Sequence, residues 1–338
     1  MQANRIAPAL IIMAAHASFG ASGGGTSEPT FEVRPFHPID GNRWIGNAVC
    51  YGPHRDGQHP GGPSPSAAEL REDLQLMLPH WNLLRIYGAS GFAETMLSVI
   101  REDGLPMKVV LGVWIAPEDK PGTAENNHAE VEAAIRLAND YSDIILAVCV
   151  GNETQVFWSA HRCPPATLID HVRSVRAGVT VPVTSADDFN FWNKPESHGV
   201  AHELDFITLH AHPMWNGQQL EEALAWQKDK LAEVRAMHPD RQVVIGETGW
   251  ATSVHSEGEQ AKLIKGRPGE SEQSAFSSAV REWAAEEQEV VFFFEAFDEN
   301  WKGDDHPDEV EKHWGLFRAD RTPKATGGAS SRKASSQR

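Results

Sequence analysis

The 338-residue sequence predicts one α/β domain, a single (β/α)8 TIM barrel, on three observations. Short apolar, β-branched runs alternate with amphipathic stretches of helical period, which implies parallel strands joined by right-handed crossovers. Eight such units fit between Arg34 and Ala319, near the ~250 residues typical of this barrel. Runs such as Ile144–Val150 and Val290–Phe297 are almost continuously apolar, as strands covered on both faces are. The competing fold is a doubly wound open sheet, which carries a Gly-rich phosphate loop after an early strand. The nearest stretch here, Gly88–Glu94, lacks the G-x-G-x-x-G spacing.

Taken in order, the first apolar run is Ile45–Tyr51, with helical periodicity over Ala67–Leu78 behind it. Asn82–Tyr87 precedes a helix over Glu94–Asp103, and Met107–Ile115 precedes one over Ala129–Tyr141. The fourth run, Asp143–Gly151, leads to Ala166–Ala177; the fifth, Val181–Ser185, leads only to a short helix near Glu196–His202. Asp205–His210 is followed by the long helix Gln219–Met237, and Gln242–Glu247 by Glu272–Glu287. Glu289–Phe297 closes the series.

Residues 1–30 fall outside the pattern. Arg5, a short apolar stretch and Ala15-His16-Ala17 resemble a secretory signal peptide with a small-residue cleavage site. That points to a secreted or periplasmic protein; the alternative is a disordered leader on a cytoplasmic one. The Gly/Ser-rich residues 18–30 read as linker. The polar, basic, Ser-rich residues 322–338 are expected to be a disordered tail, which leaves 31–321 for the barrel.

Composition narrows the partners. A formal charge of −17 excludes an ordinary nucleic-acid or anionic-membrane partner, which would need a basic field. The sequence has no 18-residue apolar run, so no stable membrane insertion is expected. Three cysteines (Cys50, Cys149 and Cys163) at wide spacing form neither a disulfide framework nor a zinc pattern, and read as buried thiols. Oligomeric state leaves no signal. Tryptophan outnumbers tyrosine, 11 to 3, and its flat amphipathic face suits flat amphipathic ligands as well as cores. Trp114, Trp158, Trp192, Trp215, Trp250 and Trp301 follow the ends of runs three to eight. Trp44, Trp81, Trp226, Trp283 and Trp314 lie elsewhere and read as packing.

In such a barrel, polar residues at the C-terminal ends of strands face the active-site mouth. The fourth run ends in Asn152-Glu153 and the seventh in Glu247-Thr248. These strands stand nearly opposite each other in an eight-stranded ring, so both carboxylates can converge on one point. A single strand-end glutamate is more simply a solvated or ion-paired residue. A convergent pair is what glycoside hydrolysis needs, one to protonate the leaving oxygen and one to attack the anomeric carbon.

Gly151-Asn152-Glu153 and Gly246-Glu247-Thr248-Gly249-Trp250 resemble the acid/base and nucleophile motifs of glycoside hydrolase family 17, the retaining β-1,3-glucanases and glucanosyltransferases. Asn47–Gly52, Leu84-Arg85-Ile86-Tyr87 and Phe294–Lys302 resemble its first-, second- and eighth-strand motifs, the last in its microbial form. The ordered set spans Asn42 to Phe317. The resemblance implies Glu153 as acid/base, Glu247 as nucleophile and Asn152 as partner of the sugar 2-hydroxyl. It implies a β-glucan substrate and no cofactor or metal, since two carboxylates suffice. Arg85 is expected to keep Glu247 ionised, and Tyr51 and Tyr87 to hold Glu247 or floor a subsite. Glu299 and Lys302 match polar positions lining the site; Glu295 reads as a buried strand residue. Trp215, Trp250 and Trp301 are expected along the sugar cleft, and the Trp192 loop and Gln155–Pro165 on an acceptor platform. His210 is expected on substrate or on Glu247.

Two rivals remain from the residues alone. His210-Ala211-His212 could be a metal pair of a metal-dependent barrel hydrolase, although the first run lacks the matching histidines. A barrel that binds glycans without turnover is the other, because fold alone does not give function.

Overall fold

The computed structural model describes residues 31–324; the leader (1–30) and residues 325–338 lie outside them. Eight strands form a closed, wholly parallel barrel in which each strand pairs with its neighbours in sequence and the last with the first. They are β1 (Asn47–Cys50), β2 (Leu83–Arg85), β3 (Lys108–Val113), β4 (Ile145–Asn152), β5 (Val183–Asp188), β6 (Phe206–His210), β7 (Gln242–Thr248) and β8 (Val291–Phe293). The expected (β/α)8 barrel is the fold observed.

Alternation along the strands sorts the core into two shells. Ala48, Cys50, Leu83, Val110, Ala147, Cys149, Ala186, Phe206, Val244 and Phe292 pack together inside the barrel. Their neighbours, such as Val49, Leu84, Val148, Ile207 and Ile245, face out against the helices. Phe36 closes the lower end, stacked on Phe206 with ring centroids 4.5 Å apart. The same parity turns Arg85, two residues past Leu83, and His210, four past Phe206, inward at the upper end.

The helices around the ring are α1 (Ala67–Met77), α2 (Ala93–Glu102), α3 (Thr123–Asp140), α4 (Pro165–Gly178), α5 (Phe189–Trp192), α6 (His198–Ala201), α7 (Leu220–Met237), α8 (Gly258–Leu263) and α9 (Glu270–Glu287). Ser66 and Glu69 cap α1 reciprocally. Pro165 starts α4, where its missing N–H costs nothing. α3 begins at Thr123 rather than Ala129, because its polar first turns carry no apolar stripe. β5 runs on to Asp188, beyond the expected Ser185. A two-stranded ribbon, Ile39–Asp40 with Arg43–Trp44, was not legible as a separate element.

Residues 322–324, expected in the tail, pack against the barrel. Lys324 is buried and its ammonium lies 2.8 Å from Asp298, while Phe317 bridges to Pro323. All three cysteines are buried and free, as expected. No helix among the described residues is long and apolar enough to cross a membrane.

Candidate active site

Glu247 stands at the top of β7, 6% exposed. Gly246 before it is required, because a Cβ there would collide with the Thr208 methyl on β6. Arg85 donates to Glu247 Oε1 at 2.7 Å and Tyr87 at 2.9 Å. His210 Nε2 lies 3.3 Å from Oε1, and His212 Nε2 3.3 Å from Oε2. Burial alone would push this carboxyl up. The charge of His210, the His212 hydrogen bond and the Arg85 guanidinium outweigh burial and hold it well below the usual carboxylate range. Burial also opposes a proton on His212, but Glu247 outweighs it and raises the ring above its ordinary value. Burial pushes the Tyr87 phenol well up, so it remains a donor. Arg85 spans the site: its other arm donates to Asn152 Oδ1 at 2.6 Å.

Glu153 sits on a different kind of support. Pairing between β4 and β5 shifts register after Cys149, and Gly151 takes φ +79°. Glu153 itself holds φ +50°, a left-handed conformation costing a non-glycine residue on the order of 1–3 kcal/mol. Its N–H bonds to Ala186 O at 2.9 Å, and its Oε1 meets His210 Nδ1 at 3.1 Å. One imidazole thus touches both glutamates. One oxygen of each glutamate and a ring nitrogen of His210 lie within 4.8 Å of one another. The Glu153 side chain is 28% exposed, against 8% for Glu247.

The segment after β8 supplies a second charged cluster. Glu299 accepts from the His54 N–H, His54 Nδ1 and Trp301 Nε1 at 3.3, 3.2 and 3.0 Å. Lys302 lies 2.9 Å from Glu299 and 2.6 Å from Glu295. Burial opposes its charge, but the two carboxylates push its pKa up. Glu295 is fully buried, as expected, but lies beyond the strand, which ends at Phe293. Gly52 leaves room for Glu299, whose carboxylate a Cβ would strike.

Other expected site residues go elsewhere. Tyr51 follows inward-facing Cys50 and therefore turns out of the barrel. It is fully buried, and its hydroxyl donates to Asp73 at 3.0 Å rather than to Glu247. Trp250 is fully buried and donates to Arg267 O at 2.9 Å. Trp192 is likewise buried, bonded to Thr208 O at 3.2 Å. Neither indole presents a face to a sugar. Trp114, Trp158, Trp215 and Trp301 keep partial exposure. Trp158 packs edge-on against Phe157, 47% exposed, on the loop that follows Glu153.

Two residues at the site escaped the sequence argument. His54 follows the first strand as an isolated histidine with no periodic signal. Trp314 reads as packing, yet its ring lies 5.3 Å from His212.

The metal reading meets a poor donor set. Glu247 Oε1 already accepts from a buried guanidinium and a phenol, so a divalent cation there would face an immovable positive charge. A second cluster, His255, Asp304 and Glu309, is similarly placed. There the Nδ1 of His255 accepts the Glu257 N–H at 3.2 Å, a bond that ligation through either ring nitrogen of the neutral imidazole would break.

Residues 48–315 match the family model described as the BtgE/BtgC glycoside hydrolase domain. A glucan 1,3-beta-glucosidase of Arthroderma benhamiae is 28% identical over 287 residues, covering 79% of this chain and 86% of the relative. Among solved structures, an endo-laminarinase from Formosa Hel1_33_131 superimposes with a TM-score of 0.72 at 26% identity, over 82% of this chain and 85% of that one. A glycoside hydrolase family 17 beta-1,3-glucanosyltransferase from Rhizomucor miehei shares the fold, with a TM-score of 0.67 at 23% identity over 83% and 96% of the two chains. These likenesses bear out the resemblance drawn from the strand-end motifs.

Proposed function

The chain belongs to the BtgE/BtgC glycoside hydrolase family, and from that membership we propose a retaining enzyme that cleaves β-1,3-glucan through a covalent glycosyl-enzyme. One observation carries the mechanism: carboxylate oxygens of Glu153 and Glu247 approach within 4.8 Å. Retaining enzymes hold their carboxyls about 5–5.5 Å apart, and inverting enzymes leave a gap of about 6.5–9.5 Å for a water.

Glu247 is the nucleophile. Its Oε1 is held by Arg85 and Tyr87, and Oε2 meets only the His212 ring at 3.3 Å. Oε2 is therefore the oxygen that attacks the anomeric carbon. Glu153 donates its proton to the glycosidic oxygen as that bond breaks, and the leaving sugar departs neutral. In the second step Glu153, now a carboxylate, takes a proton from the incoming hydroxyl, which displaces Glu247. Asn152, fixed by Arg85, offers its amide to the sugar 2-hydroxyl. No cofactor enters either step.

The incoming hydroxyl can belong to water or to a second sugar. The exposed Phe157–Trp158 pair lies on the Glu153 side, where the leaving sugar departs and an acceptor enters, and it favours glucanosyl transfer as a second outcome. The leader motif of residues 1–21 supports export, with a linker, barrel and tail following it.

The test is incubation with laminari-oligosaccharides, with products resolved by size and anomeric configuration. Retained anomers are expected, with shorter products from hydrolysis and longer or cyclic ones from transfer. Inverted anomers, or no turnover, would overturn the reading.

A further inference from the structure

The acid/base role leaves one requirement unexplained. Glu153 lies on a left-handed turn, beyond the point where β4 loses register with β5. Something must hold that turn against relaxation. The residue facing it is Asp187, on the adjacent strand.

Asp187 is 1% exposed and lies in β5 between the inward residues Ala186 and Asp188. Parity aims its side chain away from the barrel axis, so it does not line the cleft. Its Oδ2 accepts the Gln155 N–H at 2.7 Å. Its Oδ1 accepts the Val156 N–H at 3.1 Å and the Asp188 N–H at 2.9 Å. Two of these three donors are the second and third residues after Glu153. The carboxylate thus carries the attachment of this segment to β5 past the last ladder bond, that of the Glu153 N–H to Ala186 O. Beyond it, the loop closes on itself: Cys163 N–H bonds to Thr154 O at 3.0 Å, and Gln155 Nε2 to Cys163 O at 3.2 Å. The Glu153 N–H is tied to Ala186 O, one residue from the same anchor.

We propose that Asp187 is a positioning residue for the acid/base, its buried carboxylate fixing the turn that aims Glu153 at the glycosidic oxygen. The inference rests on the retaining reading above. Burial and the nearby Glu153 charge push the Asp187 carboxyl up, while the Gln155 and Asp188 N–H groups oppose that shift.

The discriminating readout is leaving-group dependence. A laminari-oligosaccharide leaves as a poor leaving group and needs the proton; a 2,4-dinitrophenyl β-laminaribioside does not. Asp187→Asn keeps the size but sets an NH2 against an N–H donor. It should lower kcat on the oligosaccharide about 10²-fold, within the range of general acid catalysis, and lower glycosyl-enzyme formation from the dinitrophenyl substrate less than about threefold. Asp187→Glu, which keeps charge and both oxygens, should recover most of the loss. Equal losses on both substrates would show a general structural role and overturn the proposal, as would no loss on either. If neither variant folds, Asp187 holds the fold rather than Glu153, and the proposal falls. A wild-type chain inactive on both substrates would instead defeat the retaining reading itself.

Discussion

The surroundings of the two glutamates differ in kind. Glu247 is nearly enclosed, at a strand end where β7 shifts register against both neighbours, with donors from β2, from the segment just beyond it and from β6 and its extension converging on its two oxygens. Glu153 is over a quarter exposed, on a left-handed turn, with His210 as its one side-chain hydrogen-bond partner among the described residues. A nucleophile must stay ionised and immobile, so every neighbour that favours the carboxylate helps it. An acid/base must hold a proton in one step and lose it in the next. Neighbours that pinned one charge state would slow one of the two steps. The contrast supports the proposed roles without reference to sequence motifs.

The most severe test exchanges each carboxylate for its amide. Glu247→Gln should reduce turnover of every glucoside, activated or not, by more than about 10⁴-fold, because no glycosyl-enzyme can form. Glu153→Gln should cost about 10²–10⁴-fold on laminarin but leave formation of the intermediate from a dinitrophenyl glycoside nearly intact. Added azide should then release a β-glycosyl azide, needing no base. Steady-state rates and product identification check both. If the two variants behaved alike, the assignment drawn from their environments would collapse.

Much of this was legible in the sequence because strand ends are simple objects. An apolar run ending in a glutamate fixes both the strand and the placement of the carboxylate at the barrel mouth, so Glu153 and Glu247 could be placed. Arg85 and Tyr87 followed the same logic, since both share the inward parity of Leu83. Tyr51 failed by one position: Cys50 faces in, so its neighbour faces out and is claimed by Asp73. Trp250 and Trp192 failed because an indole after a strand end fits a sugar cleft and a helix interface equally well in sequence; only the packing separates them. Asp187 was hidden because the apolar pattern of the fifth run ends at Ser185. A buried acid that extends a strand breaks the apolar pattern by which strands are recognised.

The enclosure around Glu247 should be dismantled in steps of falling size. Tyr87→Phe removes one hydrogen bond to a charged acceptor, worth about 1.5–3 kcal/mol when buried. If that bond strengthens no further in the transition state, the deglycosylation rate changes little; if the phenol steadies the departing carboxylate, the loss in that rate is about ten- to a hundredfold. The larger loss is expected, because Oε1 is where Arg85 and Tyr87 meet and where charge returns as the glycosyl-enzyme breaks down. Kinetics of the deglycosylation step, isolated with an activated substrate, measure it.

His212 offers the finest distinction between the two sites. Its ring is raised above its ordinary value by Glu247, with Glu153 and Glu311 adding to the pull. It therefore carries a proton across the acidic range in which Glu247 would otherwise be protonated. That cation favours the ionised carboxylate, as does Arg85 beside it. In His212→Asn the cation is gone, so the Glu247 carboxyl rises by about one pH unit. The acid limb of the kcat/KM profile should move to higher pH by the same amount, while activity near neutrality changes little. An acid limb that stayed in place would mean that Arg85 and His210 alone keep the nucleophile ionised.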